Sequence, residues 1–209
     1  FKQEYEAEFV TYQGLIYYGF SREDSVLDMQ DDNGTLHIGM DFNLDPMSAV
    51  ICVRKGDKLY AIDEIVMFGS NTDEMVSEII NRYPRRSIII YPDPASRQRK
   101  TSAGGRTDLS ILQNAGFSVK AKNSHALIRD RINSVNSRLL SGSGTRHLFV
   151  SPKCKQTIKS LERQTYKEGT SIANKDDGYD HMNDALGYLV EYLFPVRTEY
   201  ATPQPQRWT

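Results

Sequence analysis

The order of the secondary-structure elements that the sequence predicts constrains the fold of this chain most. Three apolar runs separated by short turns predict an antiparallel meander, because turns of hairpin length join strands that lie side by side. Strands and helices then alternate to the end of the chain, which is typical of parallel strand pairs. The predicted strands are 36–42, 48–54, 58–66, 87–91, 117–121 and 147–150, and the predicted helices are 72–82, 108–115, 126–140, 153–166 and 180–194. Thr72 is the predicted N-cap of the first of these helices.

This order argues against a doubly wound dinucleotide-binding fold. Such a fold alternates strand and helix from its first strand, and no GxGxxG motif follows the first strand here. The pattern instead predicts an α/β fold with a mixed sheet, in which an antiparallel meander is followed by parallel strands and helices cover both faces. A chain of 209 residues is long enough for one core of this kind, so we expect one domain.

Composition narrows the function classes. The chain has 26 Lys and Arg residues against 27 Asp and Glu residues, a net charge of −1, so any surface for nucleic acid must be local. Its two cysteines lack the paired spacing of a zinc site or a disulfide framework. No apolar run approaches the roughly 20 residues needed to cross a bilayer, so we expect no membrane partner.

The ends of the chain differ from its middle. Residues 1–35 hold helix-forming residues and then a polar, acidic stretch, and we interpret them as the end of an upstream domain with a linker. The domain proper then spans 36–195, and the proline-containing segment 196–209 is predicted to be a flexible tail. Because the chain starts at Phe1 without a Met, we expect it to be a fragment of a longer protein.

Acidic residues stand at the ends of two predicted strands and in one helix. Asp41 and Asp93 each close an apolar strand, and if these strands are neighbours, the two carboxylates meet at one edge of the sheet. Asp180, His181 and Asp184 share one face of the last helix through their spacing of three and four residues. The alternative is structural, because a strand-end Asp can cap a turn and an acidic first turn suits the helix dipole. That alternative leaves Asp184, one turn further in, unexplained.

Three carboxylates from two strand ends and a helix predict a metal site. A donor set made only of oxygen atoms favours Mg²⁺ or Mn²⁺ over zinc. Two such ions, about 3.5–4 Å apart, activate a water molecule and stabilise the leaving oxygen in phosphoryl transfer. We therefore predict Asp41, Asp93 and Asp184 as catalytic metal ligands. His181 stays open between a ligand, a proton shuttle and a hydrogen-bonding bystander.

Positive charge follows Asp93 in the sequence. Arg97, Arg99, Lys100 and Arg106 lie in a glycine-containing loop that suits contacts to DNA phosphates, which position DNA without reading its sequence. Lys120, Lys122, Arg129 and Arg131 extend this surface if they lie on the same side. The alternative is a loop that is only solvated.

Four segments resemble, in order and spacing, the nuclease domain of the large terminase subunit of tailed bacteriophages. They are GMDFNLDP around Asp41, YPDPAS around Asp93, KAKNSHALIRDRINSVNSRL from Lys120 and DHMNDALGY around Asp184. The resemblance covers roughly residues 1–195, and the opening FKQEYEAEF looks like the end of the ATPase domain of that family.

The resemblance implies a ribonuclease-H-like fold, two Mg²⁺ or Mn²⁺ ions and endonucleolytic cutting of concatemeric double-stranded viral DNA during genome packaging. It places Asp41, Asp93 and Asp184 at the metal-carboxylate positions, with His181 and Asp180 accessory. The implied partners are the terminase small subunit, the portal protein and an upstream ATPase domain, in the cytoplasm of the host cell.

Two alternatives to this function remain open, because a fold does not fix a function. One is a nuclease similar to junction resolvases on the same fold. The other is a ribonuclease-H-like module that docks on DNA or on a portal ring without cutting. No GxxxxGK[ST] motif stands in the sequence, so we predict no ATPase activity for this chain.

Overall fold

A mixed sheet of six strands forms the centre of the domain in the computed structural model, which describes residues 14–29, 31–43, 45–97, 106–122, 124 and 126–196. The strand order is β5-β4-β1-β2-β3-β6. The meander β1-β2-β3 is antiparallel, whereas β4, β5 and β6 pair in parallel with their neighbours, which confirms the predicted sheet. The strands are β1 (Leu36–Asp41), β2 (Met47–Lys55), β3 (Lys58–Met67), β4 (Ile88–Pro92), β5 (Ser118–Val119) and β6 (Leu148–Val150).

Helices cover both faces of the sheet. Apolar residues of α2 and α3 form one core with one face, and those of α4, α5 and α6 form a second core with the other. The described helices are α1 (Arg22–Ser25), α2 (Thr72–Arg82), α3 (Asp108–Asn114), α4 (Ile128–Leu139), α5 (Lys155–Arg163) and α6 (Asp180–Leu193). None of them is both long enough and apolar enough to cross a membrane.

Strand β1 shows how alternation divides these two cores. Ile38 and Met40 are fully buried against the α2–α3 layer. Gly39 and Asp41 point to the opposite face, where they meet α6. Because successive side chains of a strand point to opposite faces, the same strand supplies both core and site.

Several predicted boundaries differ from those observed. Asn71, not Thr72, caps α2, because the Asn71 side chain accepts a hydrogen bond from the Glu74 amide while the Thr72 hydroxyl donates to Asp108. Strand β5 has two residues where the sequence predicts 117–121. The two residues of β5 pair with two residues of β4, so the paired strand is shorter than the apolar segment in the sequence.

Part of the segment interpreted as a linker packs against the domain. Ile16 and Tyr17 are buried in the core with α4, α5 and α6, and the Asn136 amide donates a 2.8 Å hydrogen bond to the Ile16 carbonyl. The predicted tail helix at residues 1–9 and the predicted flexible tail beyond residue 196 lie outside the described residues.

Candidate active site

The carboxyl ends of β1 and β4 lie side by side and carry Asp41 and Asp93. The strands are parallel neighbours with Met40 opposite Pro92, and the Asp93 amide donates a 3.0 Å hydrogen bond to the Met40 carbonyl. The condition for the two carboxylates to meet is therefore fulfilled. The Asp93 carboxylate also accepts a 2.8 Å hydrogen bond from the Ala95 amide, which holds it at the start of the following 3₁₀ turn.

Helix α6 brings the third carboxylate to this edge because it lies very close to β1. A Cβ atom built on Gly39 would lie 2.0 Å from the carbonyl oxygen of Ala185, the residue after Asp184. Only glycine leaves room for that approach. The position of Asp184 beside the strand ends thus depends on the absence of a side chain at position 39.

Asp41, Asp93 and Asp184 line one cavity of about 320 Å³, which we call the acidic cavity. Asn43, Lys175 and Tyr188 also line it. Asp180 is buried in the first turn of α6 but does not line this cavity. The structure thus brings together the three carboxylates that the sequence predicts and leaves Asp180 beside them.

Asp41 is almost fully buried, with 3% of its surface exposed. Its Oδ2 atom accepts a 3.0 Å hydrogen bond from the Asn43 amide and lies 3.2 Å from His181 Nδ1. Burial raises the pKa of the Asp41 carboxyl, the charge of Asp184 adds to this rise, and the contacts with His181 and Asn43 oppose it. The ionised form of Asp41 is therefore less favoured here than in water.

His181 links the acidic cavity to α6. Its hydrogen bond with Asp41 raises the pKa of the imidazole above the ordinary value, and burial acts in the opposite direction. His181 Nε2 lies 3.8 Å from Asp180. The ring thus lies between two carboxylates and can hold a proton next to Asp41.

Asp184 is bound by two cations of the protein itself. Arg131 Nη2 donates a 2.5 Å hydrogen bond to one oxygen, and Lys175 Nζ lies 3.3 Å from the other. Arg131 is buried and stacks on Tyr188, with 4.5 Å from the guanidinium carbon to the ring centroid. Lys175 also lies 3.1 Å from Asp180, and its side chain is 50% exposed. Burial lowers the pKa of Lys175, but the charges of Asp184 and Asp180 raise it above the ordinary value.

The donor set fits a hard divalent ion, although the side chains are not arranged as ligands. Within the described residues, no three His, Cys, Asp or Glu side chains stand close enough together to hold a metal ion. The acidic cavity nevertheless offers the carboxylates of Asp41, Asp93, Asp184 and also Asp108, together with the Asn43 amide, which are the oxygen donors that Mg²⁺ prefers. Lys175 forms an ion pair with one of these oxygens, Oδ2 of Asp184. Since half of the Lys175 side chain is exposed, it can move away without opening the core.

The family model of the terminase RNaseH-like domain matches residues 38–193. The chain belongs to this family. No curated protein sequence matches the chain.

Solved structures place the fold among terminase nucleases. The large terminase of the thermophilic bacteriophage D6E has a TM-score of 0.68 at 18% identity over 87% of this chain and 46% of that chain, so our chain spans less than half of it. The nuclease domain of P22 large terminase has a TM-score of 0.66 at 15% identity, over 88% and 95% of the two chains. The large terminase nuclease of the thermophilic phage G20c, with bound magnesium, has a TM-score of 0.57 at 14% identity, over 85% and 97%. These matches confirm the ribonuclease-H-like fold.

The predicted DNA-binding residues of this terminase domain lie in different settings. Arg106 forms a 3.0 Å ion pair with Asp73, and Lys122 contacts Glu191 of α6. Arg97 ends the 3₁₀ turn that follows Asp93, and Ala95 of the same turn lines the acidic cavity. Arg99 and Lys100 lie outside the described residues.

Sequence reasoning missed the two cations of the terminase site. Arg131 was predicted only as part of a basic surface, and Lys175 was not singled out. The one local signal for Lys175 is its position directly before the acidic segment that leads into α6. For Arg131, the signal is the glycine at position 187. A Cβ atom added to Gly187 would lie 2.8 Å from the side chain of Arg131.

Proposed function

We propose that this terminase domain is a metal-dependent endonuclease that cuts concatemeric double-stranded viral DNA during genome packaging. The observation that carries the proposal is the acidic cavity, where Asp41, Asp93 and Asp184 converge from two strand ends and a helix. Ligands of open α/β sheets bind at the carboxyl ends of the strands, where this cavity lies. Membership of the terminase RNaseH-like family supports a nuclease function for the site. The magnesium bound to the G20c nuclease supports a divalent ion here.

In this proposal Asp41, Asp93 and Asp184 hold two Mg²⁺ or Mn²⁺ ions, with Asp180 accessory. The chemistry that two such ions supply when bound is activation of water and stabilisation of the leaving oxygen. Arg131 fixes the orientation of Asp184 from the core side. The imidazole of His181 can hold a proton beside Asp41.

We extend the proposal to the partners of the full-length protein. There, an ATPase domain precedes this one, and the small subunit and the portal protein act with it in the host-cell cytoplasm. The boundaries 36–195 and the contacts of Arg97, Arg99, Lys100, Arg106 and Lys122 with DNA phosphates belong to the same proposal.

The direct test is nicking of supercoiled plasmid by the purified chain. We expect nicking with Mn²⁺ or Mg²⁺, little sequence preference because phosphate contacts dominate, and loss of activity in excess chelator. Binding of Mn²⁺ to the folded state alone also raises the melting temperature, since stabilisation follows RT ln(1 + [L]/Kd). Full nicking in chelator would contradict the proposed two-ion site.

A non-catalytic docking module is the second candidate. It is favoured by one observation, namely that Arg131 and Lys175 already neutralise Asp184 as two counter-ions would in a structural network. A docking module binds DNA but does not nick plasmid at any Mn²⁺ concentration. The same plasmid assay therefore separates the two functions.

Replacing Lys175 by Gln is expected to raise the affinity for Mn²⁺ by about tenfold. The ammonium group competes with a metal ion for Asp184, and removing one charge a few ångströms from the site is worth about 1.4 kcal/mol after screening at a half-exposed position. Isothermal titration calorimetry measures the change. Lys167→Gln is the matched control, because Lys167 is equally exposed on the same loop and pairs with Asp176 instead.

An unchanged Mn²⁺ affinity in Lys175→Gln would mean that the ion does not use Asp184. An equal gain in Lys167→Gln would mean that the effect comes from the overall charge and not from competition at Asp184.

Neutralising Arg97, Arg99 and Arg106 to Ala is expected to weaken DNA binding and to flatten its salt dependence. Each lost phosphate contact removes about 0.9 from the slope of log K against log salt. Binding is measured with Asp93→Asn as the background, so that DNA stays intact. The control Arg22→Ala removes an exposed arginine that pairs with Glu162 away from the cavity, and it should leave the slope unchanged. An unchanged slope in the triple variant would identify the loop as merely solvated.

A further inference from the structure

A second cavity, also of about 320 Å³, lies next to the acidic cavity. His181 lines it and at the same time contacts Asp41, which lines the acidic cavity. The strand register aligns Asp41, Ser48 and Val66 in a row across β1, β2 and β3. At about 4.8 Å per strand, this row is about 10 Å long. A DNA strand that follows this row with one phosphate at Asp41 would carry its neighbouring nucleotides over the second cavity.

The floor of the second cavity contains a hydroxyl group that the described protein does not satisfy. Ser48 is 0% exposed, lines the cavity, and its Oγ atom has no hydrogen-bond partner among the described residues. Met182 beside it is buried and apolar. A buried hydroxyl without a partner is unfavourable, so its position is best explained by a ligand that brings a hydrogen-bonding edge into a largely apolar space.

The rim of the second cavity carries two aromatic side chains and charged side chains of both signs. Phe68, just after β3, is 72% exposed, and Tyr179 lies at the start of α6 with Lys159 Nζ 5.5 Å from its ring centroid. The charge of Lys159 is opposed by Asp177 on the same rim. A single exposed Phe is ordinary, but two aromatic side chains around a largely apolar cavity suit a flat ring better than a phosphate.

From these contacts we infer that the second cavity binds one nucleobase of the strand being cut, unstacked from the duplex beside the scissile phosphate. The face of the base stacks on Phe68 or Tyr179, and its edge reaches the Ser48 hydroxyl. The inference rests on the proposed function, because the acidic cavity must hold the neighbouring phosphate. An apolar side chain of a partner protein is the less suitable occupant, because it leaves Ser48 without a hydrogen bond.

Photocrosslinking with duplex DNA in which 5-iodouracil replaces thymine tests this inference. The Asp93→Asn chain is used so that the DNA stays intact, and DNA binding is measured in parallel. We expect crosslinks in peptides that contain Phe68, Tyr179 or Met182. Phe68→Ala should lower their yield at least fivefold, in line with the loss of one base–aromatic stack.

Two further variants separate base binding from a structural effect. Ser48→Ala should lower the crosslink yield while leaving the melting temperature of the free chain unchanged or higher, since the hydroxyl has no protein partner to lose. Tyr18→Ala removes an aromatic residue that is 58% exposed and does not line either cavity, and it should change nothing.

The possible failures are distinguishable. If DNA binds but crosslinks arise only outside the second cavity, or if Phe68→Ala crosslinks there as well as its parent, the inference is overturned and the proposed function survives. If the chain does not bind DNA at all, the proposed function and the inference fail together.

Discussion

Replacing Asp41 by Asn is expected to abolish DNA cleavage and to leave the metal-free fold at least as stable as the parent. The carboxylate is buried, its pKa is raised by burial and by the charge of Asp184, and among the described residues it contacts His181 and Asn43. A neutral amide of the same shape removes repulsion in the cavity without leaving a strong cation unpaired. Loss of one ligand from a two-ion site costs several kcal/mol in the transition state, so we expect nicking to fall by about 10³-fold or more.

Plasmid nicking and melting temperature, each with and without Mn²⁺, measure the two halves of this result. Mn²⁺ should stabilise the parent more than Asp41→Asn, because the parent has the better site. Asp32→Asn, in an exposed turn, is the control and should behave as the parent. An inactive chain that is also unfolded would show that Asp41 is a structural carboxylate.

Asn substitutions at the proposed metal ligands should differ in their effect on the stability of the fold, although each should prevent cutting. Asp184→Asn leaves the buried guanidinium of Arg131 without its charge partner, and breaking a buried pair in this way costs about 3 kcal/mol. The melting temperature of Asp184→Asn should therefore fall where that of Asp41→Asn does not. Asp180→Asn and His181→Ala should reduce cutting by only about 10–100-fold, if these residues act by supporting the ligands.

The parts of this domain that the sequence predicts well are those whose pattern is local. The meander follows from apolar alternation, and α2 was predicted with its observed bounds because its apolar stripe is local in the sequence, although its cap is Asn71 and not Thr72. The convergence of Asp41 and Asp93 required one further assumption, that β1 and β4 are adjacent. The structure fulfils it, because the chain crosses over through α2 and returns in parallel beside β1.

The parts that the sequence does not predict depend on contacts between distant segments without periodicity. Lys175 reaches Asp184 and Asp180 from an irregular loop between α5 and α6, where no spacing rule applies. Ile16 enters the core through a backbone contact to Asn136, 120 residues away. The second cavity likewise forms where the ends of β2 and β3 meet α5 and α6. Because these elements are distant in the sequence, the sequence predicts Ser48 only as an ordinary strand residue.

Replacing Gly39 by Ala is expected to disrupt the fold and the site together. The added Cβ would lie 2.0 Å from the Ala185 carbonyl oxygen and 3.1 Å from Leu189 Cβ, and neither backbone can move without separating β1 from α6. The cost is steric, because Gly39 lies in an extended strand that any residue can adopt. We expect a loss of at least about 3 kcal/mol in the free energy of unfolding, at the upper end of overpacking effects. Any folded fraction should not cut DNA, because the shift carries Asp184 away from Asp41 and Asp93.

Urea unfolding and plasmid nicking measure both effects, with Gly142→Ala as the control, since a Cβ there meets no atom within 4 Å. A Gly39→Ala chain as stable and as active as its parent would show that the close seating of α6 on β1 does not build this site.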